Sequence, residues 1–283
     1  MSLETITGNL RDGYNQLQPG TMLHVDQLMN ERRDNAELRN QWFYTADGEV
    51  YLLDGARKTP TLAMTREAHN PVLLNIYAAF EELTQKQNYR PTPADVQLAL
   101  AAPDTVLIAL PNLRLNKHDA EFSNLTVGTT PAKYNKLNDE ERKFTERVYG
   151  QGNDFVLNMK MLKDAGISET CIWLLNPEYV QKHAAKGAIA RASWLDDFNN
   201  YSQFGANDRY IDGHGRVRGV RRGASVSEQS GAAGAGAQKN KGPYRENAFV
   251  GPSFDEILEY SASYVPEVVR EQYEAGLRKL YNK

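Results

Sequence analysis

"ASWLDDFNNYSQFGANDRYIDGHGRVRGVRRG", Ala192 to Gly223, is the stretch on which the reading of this chain turns. It opens on Trp194, runs through a crowd of Asp, Asn, Gly and Tyr, and closes on an Arg-rich tail of strand character. Asp and Asn bond the nearby backbone and Gly leaves φ unrestricted, so such residues favour turns. Sequence of this kind buries little apolar surface of its own. Its shape has to be imposed by the elements that flank it.

Outward from it, residues 91–223 mix both periodicities. "TPADVQLALAA" predicts a short helix with Thr92 as N-cap and Pro93 in the first turn. "DTVLIAL" and "NLTVG" predict strands. "LNDEERKFTERVYG" and "DFVLNMKMLKDAG" predict helices, the second capped by Asp154 and ended by Gly166. "ETCIWLL" predicts a buried strand, and the quoted stretch follows soon after it. Residues 1–90 form a preceding region. There "QWFYTADGEVYLLD" sets Asp47-Gly48 between two apolar runs, which predicts a hairpin with a type I′ turn. "NPVLLNIYAAFEELTQ" places Val72, Ile76, Ala79, Phe80 and Leu83 at helical spacing behind Pro71. Downstream, residues 224–248 are low-complexity and read as a flexible linker. Residues 249–283 read as helical, with Ser253 and Glu256 spaced as a capping box and Val265, Val268, Val269, Leu277 and Leu280 as a stripe. The class that follows is α+β.

The chain has 283 residues, of which 41% are apolar, enough for a sizeable core. A net charge of −3 gives no global field toward nucleic acid or anionic membranes. The N-terminus "MSLETITGNLRDGYNQ" lacks a basic then apolar leader, and no apolar run reaches a membrane span, so a cytoplasmic protein without membrane insertion is expected. Cys171 is the single cysteine, which rules out an internal disulfide and a two-thiol catalytic pair. His24, His69, His118, His183 and His214 include no two at metal-ligand spacing and read as isolated surface residues. "GAAGAGAQKNKG" lacks the ending of a phosphate loop. Asp196 and Asp197 are adjacent carboxylates that fit a solvated turn better than acid/base or calcium chemistry. No cofactor and no metal are expected, and no enzyme signature is found.

"RASW" at Arg191 to Trp194, an Ala-x-x-Arg at Ala206 to Arg209, and "RGVRR" at Arg218 to Arg222 resemble the closing segment of C-type-lectin-like domains of the formylglycine-generating-enzyme subtype. The frame is similar to that of the variable proteins of diversity-generating retroelements, their archaeal members above all. Val220 stands where that frame carries Phe, and the chain runs on beyond the strand that ordinarily ends the domain. The resemblance implies an α+β, C-type-lectin-like fold of mixed short strands and two helices, with added N-terminal elements and a C-terminal helical tail. It also implies a gene rewritten by a reverse transcriptase at adenines. Such rewriting of Asn codons never yields Lys, Glu, Gln, Met or Trp, and between Leu195 and Gly215 only Gln203 breaks that exclusion.

On this resemblance Arg191, Trp194, Arg209 and Arg218 are scaffold anchors, together with Ile211 and Val217. The ligand-binding, variable residues would be Asp196, Asp197, Phe198, Asn199, Asn200, Tyr201, Gly205, Asn207, Asp208, Tyr210, Asp212, Gly213 and His214. Aromatics would supply rigid contact area and small polar residues adaptable bonds, toward a protein or other macromolecular ligand. Three rivals stand beside this reading, one of them a purely structural subunit, which a concave surface around Tyr201 and Tyr210 would argue against. An enzyme of the formylglycine-generating superfamily would need a thiol pair or a histidine triad. A nucleic-acid binder would use residues 214–223, but alternate arginines of a strand point to opposite sides.

Overall fold

The strand into which the quoted stretch opens, β8 (Ile189–Leu195), lies inside an eight-stranded sheet and not at its edge. A computed structural model describes residues 2–76, 89–206 and 215–223. The other strands are β1 (Glu4–Gly8), β2 (Phe43–Asp54), β3 (Thr59–Thr65), β4 (Val106–Ala109), β5 (Asn116–Lys117), β6 (Phe122–Gly128), β7 (Glu169–Leu175), β9 (Phe204–Gly205) and β10 (Gly215–Gly219). The large sheet runs β4-β3-β2-β8-β9-β7-β6-β5, and β1 pairs antiparallel with β10 in a separate two-stranded ribbon. The short β9 lies parallel to β7 and antiparallel to β8, which closes the sheet across its middle.

Apolar side chains on both faces make this sheet a wall between two cores. Phe43 and Tyr51 of β2 join Leu62 and Met64 of β3 in one cluster, packed with helices α2 (Val25–Asp34), α5 (Asp139–Tyr149) and α6 (Gly152–Asp164). Tyr44, Ala46 and Val50 of the same strand, with Ala63 of β3, face the other cluster. That second cluster includes Ile6 of β1, Leu10 of α1 (Leu10–Gln16), Val72 of the short α3 (Pro71–Leu74) and Val217 of β10. Alternation along a strand sends successive side chains to opposite faces, so a strand buried on both reads as a nearly continuous run. α4 (Pro93–Ala101) begins with the Thr92 cap and a capping box to Asp95, and α7 (Pro177–His183) begins at Asn176. The α+β class expected from the sequence is the one observed.

Three expectations are corrected. Asp47-Gly48 is not a hairpin turn but the interior of β2, which runs through it with a register shift between Tyr44 and Gly48. Asp47 is buried and accepts the Val25 N–H at 2.7 Å, while a Cβ at Gly48 would meet the Asn70 amide at 2.3 Å. The chain turns instead after Asp54, where Gly55 at φ 63 and Lys58 at φ 53 take up the left-handed conformation. The N-cap of α6 is Gln151, and Asp154 sits one turn inside, accepting from Arg33 at 2.9 Å. Residues 1–90 are not a separate region, because β2 and β3 hydrogen-bond into the same sheet as β4 and β8. Ala79, Phe80 and Leu83, the linker 224–248 and residues 249–283 lie outside the described residues.

Candidate functional site

Between β8 and β9 the chain makes a tight loop over residues 196–203. Its mouth is closed by Asp196 N–H donating to the Gln203 carbonyl at 2.7 Å. Asp197 organises the turn: its carboxylate accepts Asn200 N–H at 3.0 Å and its carbonyl accepts Ser202 N–H at 2.9 Å. Tyr201 and Ser202 then adopt positive φ, at 63° and 50°, a conformation that non-glycine residues take only where neighbours hold them in it. The holding is done from below. Ser202 is fully buried, and its carbonyl accepts the Thr170 hydroxyl at 3.0 Å. Asn199, Asn200 and Tyr201 project outward, Tyr201 with 59% of its surface open to solvent. Burial raises the half-covered Asp196 carboxyl above its ordinary value, and its bonds from Asp197 N–H and the Asn200 amide oppose this.

Under the loop lies a side chain that the sequence reading passed over. Arg32 of α2 is completely buried, and its guanidinium donates to the carbonyls of Asp196 at 2.6 Å, Leu195 at 3.5 Å and Gln41, and to the Ser202 hydroxyl at 3.1 Å. Phe43 and Phe198 flank it, their ring centroids 5.8 and 5.7 Å from the guanidinium carbon. Burial pushes its pKa down to about 9, against the attraction of Asp196 and Asp197, so it keeps its charge at neutral pH. The signal in the sequence is a charge on an apolar face: Val25, Leu28, Met29 and Arg32 share one side of α2 at helical spacing.

The residues read as anchors are placed as follows. Arg191 is buried in β8, bonds the Ala206 carbonyl at 3.1 Å and the Glu121 carboxylate, and lies 5.2 Å from the centroid of the Phe122 ring. Trp194 is half-buried against the second core cluster. Arg218 of β10 grips Glu31 through two nitrogens, at 3.0 and 2.7 Å, and Thr5 at 3.0 Å. Val217 is buried in the same cluster as Trp194. Arg209 and Ile211 lie outside the described residues, as do Asn207, Asp208, Tyr210, Asp212, Gly213 and His214.

Two residues read as part of the binding surface are elsewhere. Gly205 is buried in β9, where an added Cβ would come 2.6 Å from the Trp173 Cβ and 3.0 Å from its carbonyl oxygen. Phe198 leans inward onto the first core cluster. Three of the arginines at residues 216–222 are engaged with the protein itself: besides Arg218, Arg222 donates to the Leu17 carbonyl at 2.6 Å and Arg221 stands 3.5 Å from Glu4. His24 is likewise no isolated surface residue, since its ring lies 3.6 Å from the buried Asp47 carboxylate. Partial burial raises the Cys171 thiol above its ordinary pKa, which suits an inert cysteine. Among the described residues no group of three His, Cys, Asp or Glu is placed to hold a metal ion, and no helix is long and apolar enough to cross a membrane.

Neither a protein-family model nor a curated protein matches this chain. A solved structure described as "Accommodation of massive sequence variation in Nanoarchaeota by the C-type lectin fold" is similar to it at 11% identity and a TM-score of 0.49, covering 78% of this chain and 98% of its own.

Proposed function

We propose that this protein is a non-enzymatic ligand-binding protein of C-type-lectin-like fold. Its binding surface is the outward side of the loop, Asp196, Asp197 and Asn199 to Tyr201, together with residues 207–214, and that surface is the part of the gene rewritten by a reverse transcriptase. The observation that carries the reading is a division of labour within one loop. Backbone atoms of residues 195–202 are fixed by Arg32, Thr170 and internal bonds, while Asn199, Asn200 and Tyr201 present their side chains to solvent. A loop whose shape is set from beneath tolerates changes at its tip, because exposed substitutions shift stability by only about half a kcal/mol. An exposed tyrosine beside small polar residues is also the composition of adaptable protein-binding surfaces. The ligand in this reading is a macromolecule, bound without a metal.

The test has two arms. Flanking genomic DNA is expected to carry a near-copy of the coding sequence for residues 192–222, differing at adenines, beside a reverse transcriptase gene. Display of a library varied at Asn199, Asn200 and Tyr201 is expected to yield binders to unrelated proteins while the melting temperature of individual members stays within a few degrees. A library whose members mostly unfold would overturn the proposal.

A further inference from the structure

A cleft of about 210 Å³ opens where α2, the end of α5 and the start of α6 meet, and no residue of the loop 196–203 lines it. Most charges in its wall are matched. Asp154 accepts from Arg33 at 2.9 Å and from the Asn30 amide at 3.3 Å, Glu146 accepts the Tyr134 hydroxyl, and Arg66 holds one oxygen of Asp26 at 3.0 Å. Three groups keep unpartnered atoms: the cations Arg66, at Nε, and Arg147, and the anion Asp26. Arg147 is only 7% exposed, yet its Nε and Nη2 have no hydrogen-bond partner. Its nearest carboxylate oxygen, Asp47 Oδ1, lies 3.8 Å from Nη2 and has no hydrogen-bond partner either, the Val25 N–H bonding the other oxygen, so the two charges are paired without a hydrogen bond between them. The anion's unpartnered atom is Asp26 Oδ1, buried like the others.

Leaving buried charged groups without hydrogen bonds is costly, which marks the cleft as a place where something polar belongs. Burial lowers the pKa of Arg147, and the nearby Arg66 lowers it further against the pull of Asp47. At the same wall α6 begins on Gln151, whose side chain caps nothing, so the N–H groups of a thirteen-residue helix start there uncapped. A simple anion would satisfy Arg147 but would sit among Asp26, Glu146 and Asp154. A simple cation would satisfy Asp26 and leave Arg147 as it is. A molecule of zero net charge with both signs answers both demands. The volume suits a few heavy atoms: a water occupies about 30 Å³ and drug-sized ligands need roughly 300 Å³ or more.

We propose that this cleft binds a small zwitterion of the free amino-acid class, its carboxylate held by Arg147 and the start of α6 and its ammonium by Asp26. Calorimetric titration of the full chain with L-alanine and L-serine, beside propionate and ethylamine, which each keep one of the two charges, tests it. Saturable binding of an amino acid is expected, with propionate and ethylamine at least tenfold weaker. Arg147→Lys and Asp26→Asn should each weaken amino-acid binding at least tenfold. Should Arg147→Lys fail to fold, Asp26→Asn decides alone, since it keeps the shape of the wall. No binding of either amino acid, propionate binding as tightly as L-alanine, or unchanged affinity in Asp26→Asn would each overturn the assignment.

Discussion

A guanidinium carries five N–H donors in a rigid plane, so burying one is tolerable only where several fixed acceptors surround it. Arg32 meets that condition with three carbonyls and a hydroxyl, contributed by the segments 41, 195–196 and 202. Arg32→Met keeps the volume and removes every donor, leaving buried acceptors unpaired at roughly 1–3 kcal/mol each. A loss of at least about 3 kcal/mol in denaturant unfolding is expected, and Arg32→Lys should not restore it, because an ammonium cannot reproduce the fork. Stability equal to the parent in Arg32→Lys would mean that charge alone matters. Glu49 presents the opposite problem, a buried carboxyl with Tyr51 as its donor. Burial raises its pKa from 4.5 to about 8, opposed by the Tyr51 bond and Arg191. Between those values the folded chain holds a proton that the unfolded chain releases. The stability this carboxyl contributes is therefore complete below the unfolded value and is lost as pH rises through about 8. Melting curves at pH 5 and pH 8 should show the parent losing more than Glu49→Gln, which has no proton to release; parallel losses would place an ionised Glu49 in the folded protein.

The β8–loop–β9 unit shows how one element can hold both fixed and free positions a few residues apart. Tyr201 is open to solvent, whereas Gly205 four residues later is pressed against Trp173 between two strands. Gly205→Ala is expected to cost about 1–3 kcal/mol as an overpacked core site, read in the same unfolding assay, while Tyr201→Ser changes little. An unaffected Gly205→Ala would show that β9 can move away from β7. Much of this element's surroundings was legible in sequence. "ETCIWLL" and "NLTVG" alternate or run apolar as strands do, and Thr92 caps its helix through a bond to a residue only three positions away. What was not legible depends on distant partners. Asp47-Gly48 has the local signature of a turn, but Val25 and Asn70 hold it extended. Codon logic groups Gly205 with the exposed residues because it knows nothing of Trp173. Arg32 reads as one charge among several in "NERRDN" until its helical face is drawn.

Across the whole molecule, the frame of the candidate site is assembled from both ends of the described chain. Residue 32 supports the loop, β1 pairs with β10 along five residues from Glu4↔Gly219 to Gly8↔Gly215, and Gly219 packs where a Cβ would meet the Thr21 carbonyl at 2.6 Å. The joint between these parts is Arg218, which binds Glu31 on α2, the residue next to Arg32, and Thr5 on β1. Through it the closing strand and the helix under the loop become one body, although 187 positions separate the two charges. The pair is largely covered, with side-chain exposures of 12% for Arg218 and 31% for Glu31. An exposed ion pair contributes at most a few tenths to about 1 kcal/mol, whereas a two-pronged, shielded guanidinium–carboxylate contact is stronger. A double-mutant cycle of Arg218→Met and Glu31→Gln should therefore give a coupling of about 1–2 kcal/mol, inside the span of roughly 0.5–3 kcal/mol found for residues in one contact network. The cycle should also move the loop: hydrogen exchange of the Ser202 amide, which bonds to the Asp197 carbonyl, should quicken in Arg218→Met. Additive effects with an unchanged Ser202 amide would mean that the strand ribbon alone closes the frame, and that the loop is supported by α2 without help from the closing strand.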